Sequence, residues 1–352
     1  MENAENFSPV AVTGGSGYIA SWIVLKLLER GIEVHTTVRN LSDERKVGHL
    51  KTMQKNFPGQ LSLFEADLNI EGSFDAAIAD CEALIHSASP FVISNISDPE
   101  LELIRPAKVG TENVLRSADR AQTVRKVVLT SSVAAVHTDN NEWKNTSEGI
   151  LNENHWNSTA SAKYQPYSYS KTLAEKAAWE YAQQQDHWEL AVINPSFVVG
   201  PSLSKRLDGT SSSTVAGFFT GQFKQGIPDL HFGMVDVRDV AQAHILALEN
   251  PEAKGRFILM SEEMSLPEAG RILQNMQNGK LPVNLRVLPK ALFYVMGPFL
   301  GFNWRYTRNN YGVPVKLDPG RSRDILSIKY TAIADSLKDH ASQLVNDGLV
   351  SV

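Results

Sequence analysis

Cysteine and long hydrophobic runs are scarce in this sequence. Cys81 is the single cysteine among 352 residues, so no disulfide can form within the chain, as is usual in a reducing compartment. The apolar stretch at 291–302 is too short to span a bilayer and contains Gly297 and Pro298. The N-terminal residues lack the pattern of a signal peptide. We therefore expect a cytoplasmic protein with no membrane partner.

Clusters of charge of one sign are also absent. The 34 Lys and Arg residues are scattered among 39 Asp and Glu residues, and the formal net charge is −5. Nucleic-acid binding needs a basic patch or stripe, so no nucleic-acid partner is expected. None of the 9 histidines is paired with another ligand residue at zinc-site spacing, so no metal is predicted. The composition that remains is that of a globular protein long enough for two domains.

The first half of the chain alternates short apolar runs with longer amphipathic segments. This rhythm is typical of βαβ units, which build a parallel sheet with helices on both faces. It predicts an α/β fold, a doubly wound NAD(P)-binding Rossmann sheet. The apolar runs predict strands at 10–13, 33–38, 61–65, 83–87, 126–131 and 189–194. The amphipathic segments predict helices at 19–30, 43–55, 73–79, 100–121 and 168–184.

The rhythm changes after Pro195. Residues 201–213 are rich in Ser, Gly and Thr and predict a loop. Further helices are predicted at 238–249, with Asp236 or Asp239 as its cap, and near 333–347. We therefore divide the chain into two parts. The Rossmann domain comprises residues 1–195 with the returning helix 236–250, and the smaller substrate-binding lobe comprises 196–235 and 251–352.

A glycine-rich turn follows the first predicted strand. Gly14, Gly17 and Ala20 have the spacing Gly-x-x-Gly-x-x-Ala. A turn without side chains lets the backbone approach a pyrophosphate, and the helix N-terminus offers free N–H groups and a positive dipole end. The alternative is a turn that is merely tight, but its place between strand and helix favours a dinucleotide. Tyr18 and Ile19, in the first helical turn, are further candidate contacts.

The second predicted strand ends in Arg39. An NAD site usually has a carboxylate here that binds the ribose 2′-hydroxyl, whereas an arginine suits the 2′-phosphate of NADP. Lys46, at the start of the next helix, adds an ammonium, with Arg45 beside it. The alternative is that all three are solvated surface charges. Their combination favours NADP(H) as the cofactor.

Tyr167 and Lys171 are four residues apart on a predicted helix and share one face. Thr130-Ser131-Ser132 precedes them at the end of a predicted strand. These residue types fit hydride transfer to a carbonyl group, because the phenol can protonate the alkoxide and the Ser132 hydroxyl can stabilise its charge. An adjacent ammonium favours phenolate, so we expect Lys171 to lower the pKa of Tyr167. Ser132, Tyr167 and Lys171 are the candidate catalytic residues.

Several motifs together resemble the extended short-chain dehydrogenases/reductases. They are the glycine turn at 13–20, Thr-Ser-Ser at 130–132, Tyr-x-x-x-Lys at 167–171 and Val-Asp-Val-Arg-Asp-Val at 235–240. Within that family three segments resemble the dihydroflavonol 4-reductase-like branch, especially fungal NADPH-dependent methylglyoxal and aldehyde/ketone (carbonyl) reductases. These are His-Ser-Ala-Ser-Pro-Phe at 86–91, Glu-Lys-Ala-Ala-Trp at 175–179 and Asn-Pro-Ser-Phe-Val-Val-Gly-Pro at 194–201.

The resemblance implies roles for further residues. Ser132, Tyr167 and Lys171 would be the triad, with Lys171 binding the nicotinamide ribose, and Asn113 would belong to a proton relay. The other implied cofactor contacts are Asp67, Leu68, Ala88, Pro195, Val198 and Ser211. The candidate substrate pocket is largely apolar, which suits an aryl or alkyl ketone; it contains Phe91, Val133, His137, Tyr164 and Phe197. His137 stands where dihydroflavonol reductases have Asn, which weakens a flavonoid assignment.

Two other functions stay open. A nucleotide-sugar epimerase or dehydratase of the same superfamily would hold NAD tightly, but Arg39 and the apolar pocket argue against it. A non-catalytic NADP-sensing protein needs no proton donor, yet this chain has Tyr167. The sequence does not identify the carbonyl substrate, the stereochemistry, the physiological direction or the choice between monomer and homodimer. We expect a small-molecule carbonyl compound to be the partner, reduced at the expense of NADPH.

Overall fold

The structure, a computed structural model, describes residues 7–90 and 97–351. Its strands are β1 (Val10–Thr13), β2 (Val34–Val38), β3 (Leu61–Glu65), β4 (Ala83–His86), β5 (Lys126–Thr130), β6 (Glu189–Pro195), β7 (Phe197–Val199), β8 (His231–Asp236), β9 (Gly255–Leu259) and β10 (Glu262–Ser265). Seven of them form one parallel sheet in the order β3-β2-β1-β4-β5-β6-β9. This order confirms the predicted Rossmann fold, and the six predicted strands agree with the observed bounds to within one residue.

The helices confirm the predicted alternation with two changes. They are α1 (Tyr18–Glu29), α2 (Glu44–Asn56), α3 (Asp75–Ile78), α4 (Arg105–Arg120), α5 (Pro166–Ala182), α6 (Thr210–Thr220), α7 (Val237–Glu249), α8 (Leu266–Met276), α9 (Lys290–Met296), α10 (Trp304–Asn310), α11 (Gly320–Asp324) and α12 (Ile333–Asn346). The helix predicted at 100–121 begins instead with a π-helical turn, Glu100–Ile104. The loop predicted at 201–213 ends early, because α6 begins at Thr210.

Two hydrophobic cores lie on opposite faces of the large sheet. Successive side chains of a strand point to opposite faces, and β1 follows this rule: Val10 and Val12 pack with α1, α2 and α7, whereas Ala11 packs with α3, α4 and α5. In β5, Val128 joins the first core, and Val127 and Leu129 join the second. Both faces are therefore covered, as the uninterrupted apolar strand sequences predict.

The last strand of the large sheet corrects one part of the predicted division. Residues 251–259 were assigned to the substrate-binding lobe, but β9 pairs in parallel with β6 through partners such as Asn194 and Ile258. β9 comes after the change of rhythm at Pro195, so it lacks the regular alternation of apolar runs and amphipathic segments that marks the earlier strands. The rest of the predicted division stays a prediction.

A second sheet begins where the first one ends. Its order is β10-β8-β7, with β7 and β8 parallel and β10 antiparallel to β8. β7 starts two residues after β6 ends at Pro195, and β10 starts three residues after β9 ends at Leu259. The carboxyl ends of parallel strands share one edge. The second sheet has a hydrophobic core of its own, which includes α6, α8 and α12. This sheet is joined to the edge of the large sheet where the glycine turn and Ser132 also lie.

Candidate active site

The glycine turn packs directly against the segment that follows β4. Gly14 has a φ of +72°, and a Cβ atom there would lie 2.9 Å from the Cα of Ala88. The backbone N–H groups of Ser87 and Ala88 donate to Thr13 Oγ1 at 3.1 and 3.0 Å. β1 and β4 are neighbours in the sheet, so Gly14 and Ala88 meet although they are far apart in sequence. A glycine is required here by both the positive φ and the close approach.

The start of α1 offers a place for an anion. Gly17 is the N-cap residue and supplies no side-chain cap, and the first hydrogen bond of the helix runs from Ser21 N to Gly17 O. The N–H groups of Tyr18 and Ile19 precede that bond and have no acceptor within the helix. The Tyr18 hydroxyl donates to Gly200 O at 2.5 Å, so this hydroxyl already has a hydrogen-bond partner within the protein. These features fit a dinucleotide diphosphate bound by backbone N–H groups.

The basic residues predicted to select NADP lie at the protein surface. Arg39 follows β2 and is exposed. Lys46 lies 3.4 Å from Asp43, and the side chain of Arg45 is 92% exposed. Within the described part of the chain no carboxylate pairs with Arg39, so its guanidinium is available to an anion, and its contact with a 2′-phosphate stays a prediction.

The helix α5, which carries two of the candidate catalytic residues, starts just before Tyr167. Gln165 has a φ of +53°, and Pro166 occupies the first helical position, which sets the helix start. Lys171 follows one turn after Tyr167 and is buried, and its Nζ donates to Ser89 Oγ at 3.0 Å. Burial lowers the pKa of Lys171 to about 8, and the charge of Glu175 opposes this shift. Ser89 thus joins the segment after β4 to the catalytic helix.

Ser132 lies directly after β5 and meets Tyr167. Its Oγ accepts from Ala134 N at 3.1 Å, and its side chain is hydrogen-bonded to that of Tyr167. Burial raises the pKa of Tyr167 to about 12, and the Ser132 hydrogen bond only partly offsets this rise. The pKa of Tyr167 is therefore raised in this state and not lowered as expected, because desolvation outweighs the hydrogen bond with Ser132. A protonated phenol is the form that a proton donor requires.

The remaining predicted cofactor contacts are at or near the carboxyl edge of the sheet. Asp67 and Leu68 come after β3, and the Leu68 carbonyl accepts from Asn113 Nδ2 at 2.9 Å. Arg116 donates to the Asn113 oxygen at 3.1 Å, so this amide binds Leu68 and Arg116, and its part in a proton relay stays a prediction. Ser211 lies in the first turn of α6, and Pro195 and Val198 belong to β6 and β7. Their contacts with the cofactor stay predictions.

The candidate pocket residues differ in what their side chains can offer to a substrate. Phe91 lies outside the described residues. The hydroxyl of Tyr164 donates to Asp139 at 2.6 Å inside the protein, so it does not offer a polar contact to a substrate. Burial lowers the pKa of His137 to about 4, which makes this side chain neutral. Val133 and Phe197 are half-buried and stay candidates.

Sequence reasoning missed a buried cluster behind the catalytic residues. Glu175 and Arg256 form a buried ion pair there, and Asn194 binds the same carboxylate. The spacing of Glu175 from Lys171 was a usable signal, because it puts an acidic residue on the buried face of α5. No pattern in the sequence links it to Arg256, which lies 81 residues further on.

The comparisons with known proteins agree with this geometry. The model of the NAD dependent epimerase/dehydratase family matches residues 10–259. The chain belongs to this family. A cinnamoyl-CoA reductase of Medicago truncatula is 42% identical over 286 residues, which cover 78% of this chain and 83% of that protein. A dihydroflavonol 4-reductase of Gerbera hybrida is 36% identical over 277 residues, covering 76% and 72%.

A solved structure is similar over almost the whole chain. It is the yeast methylglyoxal/isovaleraldehyde reductase Gre2 complexed with NADPH, with a TM-score of 0.78 and 29% identity. The match covers 97% of this chain and 99% of that one. Together with the plant reductases it confirms the resemblance predicted from the motifs. Among the described helices, none is long and apolar enough to cross a membrane.

Proposed function

We propose that this protein reduces an aldehyde or ketone to the alcohol with NADPH. The observation that carries the proposal is the arrangement of Ser132, Tyr167 and Lys171 at the sheet edge that also carries the glycine turn. The related cinnamoyl-CoA reductase, dihydroflavonol 4-reductase and Gre2 support a reductase. The substrate is a small carbonyl compound, and the proposed location is the cytoplasm.

Each of the three side chains has one task. NADPH supplies the hydride when it is bound. Tyr167 holds a proton on its phenol and gives it to the carbonyl oxygen, and the raised pKa of this phenol keeps that proton in place at neutral pH. Ser132 donates to the same oxygen and stabilises the charge that develops there. Lys171 places an ammonium near the phenol and favours the phenolate left after proton transfer.

The residues of the cofactor site fit a phosphorylated dinucleotide. The glycine turn and the uncapped start of α1 suit the diphosphate. Arg39, exposed after β2, suits the 2′-phosphate and replaces the carboxylate expected for NAD. The NADPH complex of Gre2 supports the same choice.

The rival function is an epimerase or dehydratase with tightly bound NAD, which the name of the family model includes. The exposed Arg39 and the reductase relatives argue against an epimerase or dehydratase. If the purified protein carried NAD and converted a nucleotide sugar without net cofactor consumption, the epimerase or dehydratase function would be supported and our proposal would be wrong.

The test is a screen of NADPH consumption with aldehydes, α-dicarbonyls, aryl ketones and β-keto esters, with NADH in parallel. We expect turnover with at least one class and a preference for NADPH. Tyr167→Phe should lower kcat by about 10³-fold, because general acid catalysis contributes 10²–10⁴-fold. NADPH binding, followed by fluorescence, should be retained and serves as the control for folding. Unchanged turnover in this variant would refute the proposed mechanism.

A further inference from the structure

A buried ion pair lies directly behind the catalytic residues. Glu175 is one helical turn beyond Lys171 on α5 and is 1% exposed, and Arg256 on β9 is 6% exposed. Arg256 Nε donates to Glu175 Oε1 at 2.5 Å. A buried ion pair is often no more stabilising than apolar residues of similar volume, so its presence calls for a role other than stability.

The second carboxylate oxygen of Glu175 connects to the catalytic serine. Glu175 Oε2 accepts from Ser131 Oγ at 2.5 Å and from Asn194 Nδ2 at 2.7 Å. The same Asn194 amide donates to the backbone oxygen of Ser132 at 3.1 Å. The carboxylate thus fixes the residue before Ser132 and, through Asn194, the backbone of Ser132 itself.

Arg256 also binds two backbone segments close to Ser132. Its Nη1 donates to the carbonyl oxygens of Glu153 and His155 at 2.8 and 2.6 Å, and its Nη2 donates to Ala135 O at 3.3 Å. The guanidinium also stacks over Trp156, 4.0 Å from the ring centroid. The planar guanidinium therefore ties the turn after Ser132 and the loop before α5 to the carboxylate.

Glu175 also lies close enough to Lys171 to act on its charge. Glu175, Lys171, Ser89 and His86 line one small pocket between β4, β5, α4 and α5. Burial lowers the pKa of His86 to about 3, so this ring brings no charge at neutral pH. The charge that acts on the ammonium is then that of Glu175 on its own helix, and Arg256 is paired with Glu175 from β9.

We propose that Glu175, held by Arg256, is a positioning residue for the reduction: it fixes Ser132 through Asn194 and keeps the ammonium of Lys171 charged. This inference rests on the proposed function of the site. It explains why a carboxylate and a guanidinium are buried together beside Ser131 and Asn194. Neither side chain needs to touch the substrate.

The first test is Glu175→Gln, which keeps the size and removes the charge. We expect kcat to fall by about 10²-fold with little change in the Kd for NADPH, because a small displacement of Ser132 disturbs the reacting geometry. Glu175 raises the pKa of Lys171, so its loss should lower that pKa. The fall of kcat/KM at high pH should therefore begin at a lower pH than in the wild type, which a purely structural role would not produce.

Further variants separate the effect on Ser132 from the effect on the charge of Lys171. Asn194→Ala removes the link to Ser132 and leaves the charge of Glu175, so kcat should fall without movement of the pH profile. Asp239→Asn is the matched control: Asp239 is also a buried carboxylate, accepting from Thr331 N at 2.6 Å, but it lies outside the site. It should change stability alone. Arg256→Lys should retain more kcat than Arg256→Met, because the ammonium preserves the charge pair.

The outcomes are distinct from those that test the function. If Glu175→Gln folds, binds NADPH and keeps both the wild-type kcat and its pH profile, the inference is wrong, whereas the function stands as long as Tyr167→Phe lowers kcat as expected. If Glu175→Gln does not fold, Asn194→Ala decides: an unchanged kcat overturns the inference, and a lowered kcat with unchanged NADPH affinity supports it.

Discussion

The two ends of the proposed cofactor cleft are built in opposite ways. At the catalytic end Lys171 is buried, Tyr167 is half-buried, and burial shifts the pKa of both. At the phosphate end Arg39 and Arg45 are exposed, and Lys46 shares its charge with Asp43. Proton transfer needs controlled pKa values, which only burial and close partners provide. Selection of NADPH over NADH needs only a cation close to the 2′-phosphate. A side chain that is exposed to solvent can supply that cation.

Ser132→Ala is the sharpest test of this contrast at the buried end. Loss of one donor to the developing negative charge should lower kcat by about 10²–10³-fold. The affinity for NADPH should stay unchanged, since the phosphate end is untouched. Steady-state kinetics and a fluorescence titration measure the two quantities. A loss confined to KM would mean that Ser132 binds substrate but does not stabilise the transition state.

The pH dependence of reduction should report the buried ammonium. Burial lowers the pKa of Lys171 to about 8, so the cation is present below that pH and is lost as the pH rises through it. We expect kcat/KM to fall by about tenfold per pH unit above this value. Lys171→Arg, which keeps its charge at all accessible pH values, should remove the fall even if its overall rate is low. If kcat/KM of Lys171→Arg still fell at the same pH as in the wild type, Lys171 would not be the group that causes the fall.

The smallest effects should come from the exposed end. Arg39→Ala should weaken NADPH by about tenfold and leave NADH unchanged, because one charge-assisted contact with phosphate is lost. The difference should shrink in high salt, since exposed charges are screened. Arg45→Ala, with a side chain 92% exposed, is the matched control and should change affinity less than twofold. Equal losses for both cofactors would place Arg39 outside the 2′-phosphate site.

The features that the sequence could predict are those encoded in short segments. The turn at Gly14 and the pair Tyr167 and Lys171 are local patterns, so their positions and their common edge of the sheet follow from chain order and strand pairing. The direction of the Tyr167 pKa shift could not be predicted, because the sequence displays neighbouring charges but not burial. β9 and the contact between Glu175 and Arg256 depend on segments that meet only in the folded chain.

The place of Arg256 on β9 has a consequence for biosynthesis. The guanidinium that holds the loops around Ser132 belongs to the last strand added to the large sheet. A ribosome-bound chain that has emerged only as far as α5 therefore has Ser132, Tyr167 and Lys171 but lacks the contacts that Arg256 makes around them. Those contacts can form only after residue 256 has been synthesised, and a fragment truncated before β9 should lack them.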